Sequence, residues 1–135
     1  MTGSVRHLSP AAVRLRRAAR RHAYATYMAS RSWQRRRRAW LRLWRATHTG
    51  ADPVCAVCER VWTLSDDLHH ANYDQLGHEP DADLVPMCRP CHRVLHRILD
   101  RSSHWRAMPR RAATARIITN LRRIRRTPSD GVSGA

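Results

Sequence analysis

The sequence predicts an α+β fold: a small, partly β-structured centre held by a metal-binding cysteine knuckle and flanked by basic helices. Three observations lead there. Two close thiol pairs, Cys55/Cys58 and Cys88/Cys91, frame the middle of the chain. Short β-like segments lie between them. Ala- and Arg-rich stretches with helical periodicity lie on either side. A chain of 135 residues accommodates one compact domain with extensions. It contains no Phe, and many of its apolar residues are alanines or sit among arginines. Small domains bury a modest fraction of their surface, so a core this poor calls for a staple.

The elements follow in order. Residues 1–8 read as disordered. Ser9-Pro10 is a helix start, a capping hydroxyl followed by a proline whose fixed φ suits the first turn. A helix is expected from Pro10 to about Ala29, and Ser30 to Ser32 breaks it. A second helix should run from about Ser32 to Ala46, with Trp33, Trp40, Leu41 and Trp44 at roughly helical spacing. Such an aromatic stripe is read as core, packed on the centre, ahead of base stacking. Residues 47–54 form a polar turn. Residues 61–64 and 67–70 read as two short strands around a Ser65-Asp66 turn, and 71–82 as a loop. A helix is expected from about Pro90 to Leu99, and a last one from Pro109 to about Arg126. Residues 127–135 read as a frayed end.

Charge divides the chain more sharply than any motif. The formal net charge is +16, and all 26 basic side chains are arginine. Residues 1–51, an Arg-rich helical arm, hold 13 arginines and no acid; residues 101–135, a basic helical tail, hold 9 and one acid. The centre, 52–100, holds 4 arginines and nine acids. Two basic segments around a near-neutral middle are the electrostatic footprint of a polyanion binder. The densest phosphate-contact candidates are Arg35, Arg36, Arg37 and Arg38, and Arg122, Arg123, Arg125 and Arg126. A solubility tail is the bland alternative. No apolar run is long enough to span a membrane, and residues 1–10 lack the apolar stretch of a secretory signal. A cytoplasmic location is therefore expected, where close cysteine pairs are more often metal ligands than disulfides.

Cys55, Cys58, Cys88 and Cys91 can close a tetrahedral zinc site of structural type, since four protein ligands leave no open position. Free buried cysteines or an Fe–S cluster are the other readings. His69 and His70 are adjacent on a predicted strand and so point to opposite sides. His92 and His96 are four apart on a predicted helix and share a face. Surface histidines, or a mixed Cys/His zinc site, are the alternatives to a second metal.

The stretch from Leu68 to His96, LHHANYDQLGHEPDADLVPMCRPCHRVLH, resembles the HNH endonuclease motif in its cysteine-framed form. Upstream, Tyr27 to Trp33 is similar to the Tyr…Ser-x-x-Trp lead-in of short bacterial and phage members. The resemblance covers about residues 24–100. It implies a ββα-metal fold, two strands and a helix gripping one divalent ion, Mg²⁺ or another such as Mn²⁺, Ni²⁺ or Zn²⁺. It implies His69, His92 and His96 as ligands of that ion and His70 as the general base. The motif's middle position, usually Asn, falls on Asp83, which would hold the loop or approach the metal. The implied activity is hydrolysis of phosphodiesters in double-stranded DNA, with phage packaging or mobile-element machinery as its setting. The competing expectation is a non-catalytic zinc-ribbon module that only binds nucleic acid. The cysteines and arginines fit that equally well, whereas the histidine set does not require it.

Overall fold

The structure, a computed structural model, describes residues 7–127. The frayed end expected beyond Thr127, and residues 1–6 of the expected disordered start, lie outside them. The observed class is α+β, with five helices and one two-stranded antiparallel sheet among the described residues. The order is α1 (Pro10–Met28), α2 (Arg31–Thr47), β1 (Asp67–His70), β2 (Leu84–Met87), α3 (Arg89–Arg101), α4 (Ser103–Ala107) and α5 (Arg110–Arg126).

Local chemistry sets the helix ends. The Ser9 hydroxyl accepts from the Ala12 N–H at 3.2 Å, with Pro10 opening α1. Ser30 both ends α1 and begins α2. Its hydroxyl donates to the Tyr27 carbonyl at 2.6 Å and accepts from the Trp33 N–H at 3.1 Å. One side chain thereby fixes the elbow between two helices whose residues meet the same site.

The sheet differs from the expected hairpin. Residues 61–64 form no strand. Val61 makes only an isolated bridge to Val54, and the Cys55 N–H donates to the Arg60 carbonyl, so this segment closes the first cysteine pair into a knuckle. The Asp66 carboxylate accepts from the Thr63 N–H at 2.9 Å and turns the chain away. The partner of β1 is β2, with His69 opposite Val85 and His70 opposite Leu84. Sequence patterning hides β2 because Pro86 sits within it, and proline is confined to edges or bulges of sheets. A two-stranded sheet has nothing but edges, so it is tolerated here. The Pro86 carbonyl accepts from the Ala56 N–H at 2.8 Å, joining the sheet to the knuckle. The short helix α4 is a further addition to the expected elements.

Two apolar clusters cover the sheet. In one, Trp33, Trp40 and Leu41 of α2 pack on Trp62, Leu68 and Leu84. Trp40 meets Trp62 edge to face at 5.2 Å between centroids, and the Trp62 indole N–H donates to the Asp67 carbonyl at 2.7 Å. In the other, Leu95 and Leu99 of α3 and Ala113 and Ile117 of α5 surround Cys55, Val57, Met87 and Cys88. Both flanking basic segments therefore lend residues to the core. Three of the four β1 residues are buried, so β1 carries His69 and His70 into packed surroundings on either side. Among the described residues, no helix is long and apolar enough to cross a membrane.

Candidate metal centres and the His70–Glu79 pair

Two clusters among the described residues could hold a metal ion: Cys55, Cys58, Cys88 and Cys91, and His69, His92 and His96. In each, the donor atoms lie within 4.8 Å of one another. The four cysteines carry free thiols, and Cys58 and Cys88 stand 3.8 Å apart, sulfur to sulfur. Zn–S bonds of about 2.3 Å in tetrahedral geometry separate two sulfurs by roughly 3.8 Å. The tetrad thus has the spacing of a four-sulfur zinc site. Burial opposes ionisation of Cys55, but the N–H groups of Cys58, Cys88 and Val57 outweigh it and bring its thiol down to about 7. Burial pushes Cys91 up instead. Glu59, at φ 64°, takes the left-handed turn that closes the first pair. The second pair straddles the first turn of α3, with Cys88 as its N-cap. His92 comes next in sequence, so the knuckle sets where α3, and with it the histidine cluster, begins.

The imidazoles converge. His96 Nε2 lies 2.9 Å from His92 Nε2, and His69 Nδ1 lies 3.2 Å from the same atom. Two nitrogens bound at about 2.0–2.1 Å to one tetrahedral ion would be roughly 3.3 Å apart. The outward nitrogens of His92 and His69 have partners of their own. His92 Nδ1 lies 3.0 Å from Asp67 Oδ2, and His69 Nε2 lies 3.1 Å from the buried Thr114 hydroxyl. A neutral ring that donates outward to a carboxylate or hydroxyl presents its other lone pair inward, the arrangement that orients histidine ligands of metals. Burial, then the positive charge of Arg110, drives His69 down to about 2. Burial, then His92 and Arg110, brings His96 to about 4. His69 and His96 are therefore neutral nitrogen donors, and a cluster of imidazoles is chemically suited to a borderline divalent cation.

His70 points elsewhere, as adjacent strand positions require. Its Nε2 lies 2.8 Å from Glu79 Oε2, and both side chains are almost completely buried. Glu79 also accepts from the Tyr27 hydroxyl at 2.9 Å and from the Gly77 N–H at 3.1 Å. Gly77 has φ +91°, a backbone conformation that L side chains rarely adopt, and this turn aims its N–H at the carboxylate. Tyr27 is pushed up to about 12, first by burial and then by its bond to Glu79, so it stays a donor. Beside a carboxylate, His70 donates Nε2–H, which leaves the lone pair on Nδ1. That atom is buried and makes no hydrogen bond to the described residues. Trp33 packs on the ring at 4.7 Å and Tyr24 meets it edge-on at 5.7 Å. Burial lowers the His70 pKa, partly offset by Glu79.

The Asp83 side chain is engaged away from the histidine cluster. Its carboxylate is held by Arg111 of α5, with Nε and NH2 at 2.6 and 2.7 Å, and it is not part of the histidine cluster. Its backbone does pin the loop, since the Asp83 carbonyl accepts from the Ala71 N–H at 2.8 Å. The arginine quartet of α2 is divided. Arg36 bonds the Glu79 carbonyl and Asp81, and Arg37 bonds the carbonyls of Leu64 and Asp66, so both tie α2 to the centre. Arg35 and Arg38 are exposed. On α5, Arg123 and Arg125 are exposed, Arg126 lies 3.6 Å from Glu59, and Arg122 is half-buried. Sequence reading misses Glu79, Asp67, Thr114 and Arg110. Each is an ordinary polar residue in sequence, and only its placement against a histidine sets it apart.

No family model matches the chain, and no curated protein or solved structure matches it either.

Proposed function

We propose that the chain is a metal-dependent DNA endonuclease built on a ββα-metal core of β1, β2 and α3, in the manner of the HNH family. The observation that carries this reading is the pairing of two features at one strand. Three imidazoles, those of His69, His92 and His96, converge on one point. The next residue, His70, is held by a buried carboxylate with its Nδ1 lone pair unengaged. A module that only binds nucleic acid has no need of either.

A divalent ion held by His69, His92 and His96 would supply charge neutralisation at the scissile phosphate and at the leaving oxygen. The chain's own residues do the rest. His70 Nδ1 takes the proton of the attacking water, a contribution of roughly 10²–10⁴-fold. Glu79 holds the tautomer that leaves Nδ1 basic, and it favours the imidazolium that forms. Asp67 and Thr114 fix the rings of His92 and His69. Cys55, Cys58, Cys88 and Cys91 would hold a structural zinc that seats the start of α3. The exposed arginines of α2 and α5 supply affinity for the phosphate backbone.

Supercoiled plasmid incubated with the zinc-loaded chain and Mg²⁺, Mn²⁺ or Ni²⁺ tests this. Wild type nicks or linearises the DNA, whereas His70→Ala and His92→Ala do not, and all three still bind it. Binding without cleavage under every metal would leave the zinc-ribbon binding module in its place.

A further inference from the structure

Beside His70 lies a cleft of about 760 Å³ between α1, the 71–76 loop and the start of α5. It is within the ~300–1,000 Å³ range of sites that enclose a small ligand. Its walls are mostly apolar, formed by Ala23, Leu76 and Pro109 with the rings of Tyr24 and Tyr73. At its edge stand Arg20 and Arg21 of α1, both exposed and neither engaged in a hydrogen bond or ion pair among the described residues. Asp74 is the one acid in the lining besides the arginines, and Arg111 is already answered by Asp83.

Arg110 joins this cleft to the strand that carries the histidines. Its Nε donates to the His70 carbonyl at 2.9 Å and its NH2 to the Tyr73 hydroxyl at 2.6 Å. Its guanidinium also lies over the Tyr73 ring at 4.2 Å. The rings of Tyr24 and Tyr73 are in turn 5.7 and 5.9 Å from that of His70.

An intact duplex presents phosphates on a convex surface and keeps its base faces stacked inside. It has no apolar face to put into a concave pocket. An unpaired nucleotide has both parts, a base or sugar face for aromatic and aliphatic walls and a phosphate for arginines. We propose that this cleft binds an unpaired nucleotide of a DNA strand, its phosphate on Arg20 and Arg21. The chain then prefers single-stranded or forked DNA to uninterrupted duplex. This deepens the nuclease reading by naming the form of its substrate, and it rests on that reading only for the word substrate.

Ala23 is exposed on α1, so Ala23→Trp fills the cleft without touching the core or the histidines. Arg20→Ala/Arg21→Ala removes the phosphate contacts. Arg16→Ala/Arg17→Ala removes the same charge from the same helix outside the cleft and serves as the control. Fluorescence anisotropy at fixed salt, with the zinc-loaded chain and no further divalent ion, reads binding of a labelled single strand, a forked duplex and a blunt duplex. Ala23→Trp should lose about tenfold or more for the single strand and the fork, with blunt-duplex binding within experimental error, and Arg20→Ala/Arg21→Ala should lose about that much on the single strand and the fork beyond the general loss it shares with the control. The control should weaken all three alike. Equal losses on every DNA from the cleft variants, or no loss on any, would overturn the proposal. No catalysis is needed, so failure of the nuclease reading would leave these affinities in place. A cleaving enzyme indifferent to Ala23→Trp would sink the cleft alone.

Discussion

Replacing Glu79 by glutamine changes one oxygen for an NH2 group inside a buried network, with almost no change of shape. In the wild type, Oε1 accepts from the Gly77 N–H, Oε2 accepts from His70 Nε2, and the Tyr27 hydroxyl lies 2.9 Å from both oxygens. The amide oxygen of the Glu79→Gln variant is best kept where the Gly77 donor points, because an unsatisfied buried N–H costs about 1–3 kcal/mol. The new NH2 then faces His70 Nε2, and two donors meet at what was a 2.8 Å hydrogen bond. The ring relieves this by moving its proton to Nδ1, the position that has to be basic. The expected loss is that of a general base, about 10²–10⁴-fold in cleavage rate. The matching exchange behind a catalytic histidine elsewhere costs roughly 10⁴-fold. Single-turnover nicking of plasmid reads the rate. The ¹⁵N spectrum of the His70 ring reads the tautomer, which a merely structural role for Glu79 would not move. A folded Glu79→Gln protein that nicks as fast as wild type, or keeps its Nε2–H signal, would refute the reasoning.

Three further outcomes follow from the structure. Removing metal with a strong chelator, or substituting Cys88→Ser, should collapse the cooperative thermal transition, because structural zinc contributes on the order of 10 kcal/mol of apparent binding energy to such small folds; metal analysis of the purified chain should find one sulfur-bound zinc. Arg111 beside Asp83 holds that carboxyl below its usual range. The stability it contributes is present above the unfolded value of about 3.9 and is lost as pH falls through the lowered folded value. Urea midpoints of wild type should therefore fall more steeply than those of Asp83→Asn below about pH 4, and parallel curves would count against it. Among the arginines, Arg35→Ala and Arg38→Ala should each flatten the salt dependence of DNA binding by about one phosphate contact and leave melting unchanged. Arg36→Ala and Arg37→Ala should lower the melting temperature, since both side chains bind backbone carbonyls of the centre.

The cysteine cluster and the His92/His96 pair were legible from spacing alone, whereas the choice of His69 over His70 as the third ligand came from the resemblance to the HNH motif. A cysteine pair two residues apart can face one ion in most local folds, and histidines four apart on a helix share a face whatever surrounds them. The opposite directions of His69 and His70 followed from the alternation of a strand in the same way. The helix starts at Ser9-Pro10 and Ser30 were equally local, because a capping hydroxyl reaches only its own first turn.

Pairing between distant segments was another matter. Residues 61–64 have a strand-like composition but close the cysteine knuckle, and the strand beside β1 is one that contains a proline. Which segment pairs with β1 is decided by what covers the sheet on both faces, a property of the assembled chain. The same holds for the side chains behind the histidines. Asp67, Glu79 and Thr114 are common residue types, nine to forty-five positions from the rings they orient. Asp83 shows the converse, since its place in the motif left holding the loop and approaching the metal both open, whereas packing gives its carboxylate to Arg111 of α5. The order of residues alone determined which atoms could ligate, because that depends on residue type and short spacing. Tertiary packing decided which of them are oriented, dry and paired, because burial and hydrogen-bond partners come from elements brought together only when the chain folds.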